Sequence, residues 1–161
     1  MSESFKETLN LLKDCNLDDF SKYSFRGIEK ESLRVSGTTI SETDHPKSLG
    51  STLTNQFITT DFSEALLELI TSKQNSIDAS LEQLEDVLSY VYLKCDEIIW
   101  PSSVPCAIKN ENQIRIAEYG STNSGRLKNL YRKGLSERYG SMMQCVSCLL
   151  YTSPSPRDPN R

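Results

Sequence analysis

The spacing of apolar and polar residues changes abruptly several times along this chain, and each change marks an element. Ser4 and Glu7 have the spacing of a capping box, in which two side chains satisfy free backbone N–H groups at a helix start. Leu9 and Leu12 follow at helical spacing, so Ser4–Asp14 is expected to be a helix. From Ser24 to Val35 apolar and charged residues nearly alternate, as in a half-buried strand. Residues 36–51, rich in Ser, Thr, Gly and Pro, read as a loop or hairpin. Phe57 to Thr71 carries two apolar runs that fit strands. Its second half fits a short helix equally well, because periodicity does not decide short apolar runs.

The clearest element comes next. Ile77, Leu81, Leu84, Leu88, Val91, Cys95 and Ile98 step by four and three along a long amphipathic helix. Asn75 is the expected cap, with Asp78 in the first turn to meet the helix dipole. Trp100–Pro101 is the expected end, since a proline disfavours helix in the residue before it. Pro105 to Tyr119 offers one or two strands. Gly120–Gly125 is a polar approach to a second helix, Arg126–Tyr139. That helix is basic, with Arg126, Lys128, Arg132, Lys133 and Arg138 against Glu137 alone. There is no internal repeat. Together these elements predict an α+β fold, a partial antiparallel sheet with flanking helices. The one compositional break lies near residue 148, where LLYTSPSPRDPNR begins.

At 161 residues and 18.2 kDa the chain is one domain or a piece of a larger one. A hydrophobic content of 37% suffices for a modest core. A net charge of −4 argues against nucleic acid as a partner, because neutralising phosphates needs surplus Lys and Arg. No apolar run approaches the roughly 20 residues of a membrane span. The polar amino terminus lacks the basic start and apolar stretch of a secretory signal, so the expected compartment is the cytoplasm. Five irregularly spaced cysteines do not read as a disulfide framework. Cys145 and Cys148 form a C-x-x-C, but a zinc site needs a second ligand pair, and the only histidine, His45, stands alone before a proline.

The acids set among apolar residues are the candidates for chemistry. Glu29 and Glu31 are two apart and share a face of any strand. Asp61 and Glu68 lie inside apolar segments, where an unpaired carboxylate is costly to bury. These four could gather a hard cation such as Mg²⁺, which prefers oxygen ligands and bridges to substrate phosphates. They could equally pair with Arg26, Lys30 or Arg34, or face water. On the basic helix, Arg126, Lys128 and Arg132 could hold phosphate or carboxylate, or form a solvated face. GSTNSG lacks the GK[ST] ending of a P-loop. A serine or cysteine nucleophile would have His45 as its sole histidine base.

Four stretches, taken in order, carry a family resemblance: RGIEKESLRV, HPKSLGSTLTNQFITTDFSEALLELIT, WPSSVPC and EYGSTNSGRLKNLYRKGLSERYGSMMQ. From about Arg26 to Ser147 the chain resembles proteobacterial glutamate–cysteine ligases. The resemblance implies a fold of the glutamine synthetase-like superfamily, with an antiparallel sheet lining a funnel-shaped site. It implies that ATP phosphorylates the side-chain carboxylate of L-glutamate and that the amine of L-cysteine attacks the acyl phosphate, giving γ-glutamylcysteine. It implies Mg²⁺ or Mn²⁺ held by Glu29, Glu31, Asp61 and Glu68, and places Phe62, Tyr131, Leu135 and Gln144 near the cysteine pocket. Arg132 matches a substrate-contacting, catalytic arginine.

After Ser147 the family pattern continues into a glycine and a histidine that also serves the metal site, whereas Leu150 stands where that histidine would fall. Residues 1–147 are therefore expected to be the amino-terminal part of a ligase catalytic domain. Residues 148–161 are expected to be an unrelated tail resembling translated sequencing-adapter read-through. The expectation is a truncated chain, inactive and poorly folded by itself, from a protein that is monomeric at full length. Two other readings are a ligase joining glutamate to a different amine and a non-catalytic helical interaction module built on the Ile77–Ile98 stripe.

Overall fold

The computed structural model describes residues 3–14 and 24–152. Helix α1 spans Glu3–Asp14, close to expectation, and all of it is exposed. Strand β1, Gly27–Ser36, is the hub of a six-stranded sheet. Four strands pair with it along different stretches, all antiparallel: β2 (Thr39–Ile40), β4 (Leu66–Ile70), β5 (Ile98–Ile99) and β6 (Leu149–Thr152). Strand β3, Ile58–Thr60, completes the sheet against β4. Gly37, at φ 63°, makes the tight turn from β1 to β2, a left-handed conformation that glycine adopts without a Cβ penalty.

Both apolar runs of Phe57–Thr71 are strands. The second is drawn out by its pairing with β1, a non-local contact that no local period reports. Because side chains alternate, the sheet presents two different faces. Leu67 and Leu69 of β4 join Ile58, Leu49 and Ile99 beneath α2 (Ile77–Lys94), which contributes Val91. Leu33, Val35 and Leu66 point the other way, into a cluster with Ile40, Phe62, Ile114 and Cys145. Each fully buried leucine stabilises the fold by roughly 1.5–3 kcal/mol.

The long helix differs from expectation at both ends. Its cap is Ser76, not Asn75, the serine side chain accepting from the Ala79 N–H at 3.4 Å. It ends at Lys94, well before Trp100–Pro101. Cys95 is already extended (φ −111°, ψ 119°), and Ile98–Ile99 is recruited to β1 as β5. Tertiary pairing thus overrides the continued apolar step, and Ile77, Leu81 and Ile98 at the stripe's ends are more than half exposed. The strands expected in Pro105–Tyr119 are reduced to single bridges, Thr39 with Ala107 and Ser63 with Ile116, around a 3-10 turn at Glu111–Gln113.

Helix α3 spans Asn123–Tyr139 and starts three residues earlier than predicted, because the Thr122 side chain caps it by accepting from the Gly125 N–H at 3.1 Å. The segment beginning at residue 148, set apart by composition, nevertheless enters the sheet. Leu149–Thr152 pairs with Gly27–Lys30. Arg34 is buried and tied down by Glu97 together with Thr43 Oγ1 and the carbonyl oxygens of Thr43, Asp44 and Glu64. A buried guanidinium requires such partners. It joins the 41–44 loop to the sheet.

Candidate active site

The face of β1 that carries Leu33 and Val35 into the core carries Glu31 and Glu29 further along, so one strand face passes from apolar to acidic. Register then adds a third acid: Glu31 lies directly opposite Glu68 of β4, and Glu68 in turn opposes Thr59 of β3. Asp61 follows β3 immediately. The charges of Asp61 and Glu29 reach both Glu31 and Glu68. Burial, then the charges of Asp61, Glu29 and Glu31, push the Glu68 carboxyl up to about 7 against some relief from Arg132. Glu31 is also raised, first by burial, although the Cys148 backbone N–H donates to its Oε2 at 2.7 Å and offsets part of the rise. The sequence had left open a pairing of these acids with Arg26, Lys30 or Arg34. Among the described residues no such pair forms: Arg34 takes Glu97, Lys30 donates to Ser32, and Arg26 donates to Ser24 and the Asn75 carbonyl.

One cation does reach the row. Arg132 turns inward from α3, its Nε donating to the Asp61 carbonyl oxygen and its Nη2 standing 3.6 Å from the Asp61 carboxylate. Its Nη1 donates to the Lys128 carbonyl at 3.2 Å. The guanidinium lies over the ring of Tyr119, 4.7 Å from the centroid, and the Lys128 ammonium lies 4.9 Å from the same centroid. The Tyr119 hydroxyl donates within the backbone group formed by the Thr60 and Asp61 carbonyl oxygens, the latter at 2.9 Å, and accepts from Thr60 Oγ1 at 3.2 Å.

The donors of this row fit a hard divalent cation in type and charge: carboxylate oxygens of one sign, with one neighbouring arginine as counter-charge. As placed, they do not close on a shared point. Among the described residues no group of three or more His, Cys, Asp or Glu is gathered tightly enough to hold a metal ion.

The other expected residues are dispersed. Phe62 is only 1% exposed and sits in the core, with Leu135 packed against the same cluster. Tyr131 points outward from α3, and Gln144 is half-buried in the 3-10 turn Met142–Cys145. Of the basic helix, Arg126, Lys128, Lys133 and Arg138 are exposed. A cavity of about 460 Å³ next to Tyr119 is lined by Asp44, His45, Lys47, Glu64 and Arg115 among others, and by none of the expected site residues. His45 is held neutral there, pushed down to about 4 by burial and then by the charge of Arg34. Cys95, Cys106, Cys145 and Cys148 are free thiols. Tyr119 is the residue that sequence reasoning missed. Its one local signal is an aromatic side chain at the head of the polar approach to a basic helix.

Residues 9–157 match the family model for glutamate–cysteine ligase. The chain belongs to the glutamate–cysteine ligase family. It is 47% identical over 158 residues to the glutamate–cysteine ligase of Pseudomonas putida, covering 97% of this chain and 30% of the relative. It is 50% identical over 133 residues to that of Yersinia pseudotuberculosis, covering 81% of this chain and 26% of the relative. Its fold is similar to a crystal structure of glutamate–cysteine ligase from Francisella tularensis in complex with AMP. That similarity has a TM-score of 0.78 at 45% identity, over 84% of this chain and 28% of that one. It is also similar to a bifunctional glutathione synthetase from Pasteurella multocida (TM-score 0.77, 29% identity, 91% of this chain and 19% of that one). The chain therefore spans about a quarter to three tenths of the length of these ligase relatives. The family match runs past Ser147. No helix among the described residues is long and apolar enough to cross a membrane.

Proposed function

We propose that this chain supplies one wall of a cytoplasmic, ATP-dependent ligase site that joins L-glutamate to L-cysteine, as the first step of glutathione synthesis. Its sheet would belong to the glutamine synthetase-like superfamily, and the whole protein would act as a monomer on these small molecules. The observation that carries the reading is the acid row, Glu31 opposite Glu68 with Glu29 and Asp61 in range, on a sheet of this family's fold. The AMP bound by the Francisella tularensis relative supports a nucleotide co-substrate.

In the proposed reaction an oxygen of the glutamate side-chain carboxylate takes the γ-phosphoryl group of ATP, releasing ADP. The cysteine amine then attacks the acyl carbon, phosphate leaves with the bonding pair, and the amine loses a proton. Glu29, Glu31, Asp61 and Glu68 are the residues that would hold Mg²⁺ or Mn²⁺. Such an ion, when bound, neutralises charge on the triphosphate and the moving phosphoryl group. Arg132, anchored on Asp61, sets a positive charge beside the row, where a substrate carboxylate or the departing phosphate can be met by its planar fork. Tyr131, Leu135, Phe62 and Gln144 are proposed to shape the cysteine side.

The test is a hybrid in which residues 24–147 replace the matching segment of the Pseudomonas putida ligase. The expected result is γ-glutamylcysteine formation that requires ATP, with cysteine preferred over other amines. Glu31→Gln with Glu68→Gln should lower kcat by about a hundredfold or more. A folded hybrid that prefers another amine, or that ignores both substitutions, overturns the reading.

A further inference from the structure

We propose that Tyr119 is the positioning residue of this site, a platform that holds Arg132 and Asp61 as one unit; the functional part of the claim rests on the ligase reading above. Five contacts converge on this one buried side chain. Its ring carries the Arg132 guanidinium at 4.7 Å and the Lys128 ammonium at 4.9 Å, two residues one turn apart on α3. Its hydroxyl is bound by Thr60 Oγ1 and by the carbonyl oxygens of Thr60 and Asp61. Arg132 closes the triangle through its Nε on the Asp61 carbonyl.

Each contact does separate work. A cation over an aromatic face is attracted by the ring quadrupole, most strongly where water is excluded, and Tyr119 is only 4% exposed. The ring therefore narrows the many rotamers open to a long arginine side chain. The hydroxyl fixes the backbone from which the Asp61 carboxylate springs. Without the platform, Arg132 keeps its charge but loses its direction. A guanidinium that must meet a planar anion in two places depends on direction.

Two variants separate ring from hydroxyl. In the 161-residue chain, the Arg132 Nε–H resonance is expected to be displaced by the Tyr119 ring current and protected from exchange. Tyr119→Phe should keep the displacement, and Tyr119→Leu should abolish it. In the hybrid ligase, Tyr119→Leu should lower kcat/KM by about tenfold, largely through kcat, while Tyr119→Phe recovers most of the loss. In an Arg132→Ala background, Tyr119→Leu should cost no more than Tyr119→Phe does, because the ring acts through the arginine. A folded Leu variant that keeps the Arg132 displacement, or that loses as much activity with Arg132 already replaced, overturns the proposal. If the hybrid with native Tyr119 makes no product, the ligase reading fails, and the Arg132 resonance alone decides whether the platform exists.

Discussion

Glu31 of β1 and Glu68 of β4 are direct cross-strand partners, two carboxylates set side by side on one sheet face. Like charges in that relationship destabilise a sheet, and the Glu68 carboxyl is pushed up to about 7, by burial first and then by the charges of Asp61, Glu29 and Glu31.

The first prediction is a pH dependence. The folded-state value of Glu68 is about 7 against an ordinary 4.5, so between these values the folded chain holds a proton that the unfolded chain has released. Stability from this group is full below about 4.5, falls as pH rises through 7, and is flat above. Thermal melts in a metal-free buffer should show Tm declining across that window. Glu68→Gln should flatten the decline and leave the chain more stable than wild type at pH 8. An equal slope in the variant would falsify the assignment to Glu68.

Divalent metal should reverse the penalty. Mg²⁺ or Mn²⁺ on the acid row favours the ionised carboxylates, so added metal should raise Tm at pH 8 and have less effect at pH 5, where protons compete. A hundredfold excess over Kd corresponds to about 2.7 kcal/mol. Glu31→Gln should remove most of the gain. Chelator should return the wild-type melt to its metal-free position.

The same strand pair supplies a test of the core. Leu33 and Leu66 are cross-strand partners one step along from the acids, and each is fully buried. Replacing either with Ala should destabilise the chain by about 2–5 kcal/mol, measured by urea unfolding. The double variant should fall short of the summed losses, since the two side chains face each other across the strand pair.

How much of this was legible in the sequence follows from how local each signal was. Helix α1, strand β1 and the body of α2 are written in short-range periods and came out close to expectation. The end of α2 did not, because Ile98–Ile99 leaves the helical stripe to pair with β1, more than 60 residues away in sequence. The strands expected before Tyr119 shrank to single bridges, one of them to Thr39 of β2, a strand only two residues long. At the site, the pairing of Glu29 with Glu31 on one face was visible from their spacing. The opposition of Glu31 to Glu68 depends on register, and the triangle of Tyr119, Asp61 and Arg132 joins residues 58 and 71 positions apart. Phe62, expected near a substrate pocket, is only 1% exposed, packed in one cluster with Leu33, Leu66 and Ile114.

Two glycines of α3 give opposite predictions from the same substitution. Glycine inside a helix is less favourable than alanine by about 0.5–1 kcal/mol, because it loses more backbone freedom on folding. Gly134 is exposed, and a Cβ added there would meet nothing within 4 Å. Gly134→Ala should therefore stabilise the chain by about that amount. Gly125 is buried in the first turn, and its Cβ would stand 2.4 Å from the Tyr119 carbonyl oxygen and 2.8 Å from that of Gly120. Both are backbone atoms, so relief requires α3 to move away from the Tyr119–Gly120 segment. Crowding of this kind costs roughly 1–3 kcal/mol, which outweighs the helical gain, and Gly125→Ala should lower stability on balance. The displacement acts on Tyr119 itself, so this variant should also weaken the ring-current displacement of the Arg132 Nε–H. Gly134→Ala should leave that resonance unchanged. Urea unfolding and one side-chain spectrum of each variant check both halves, and a stabilised Gly125→Ala chain would show that the close approach of α3 to Tyr119 is not maintained in solution.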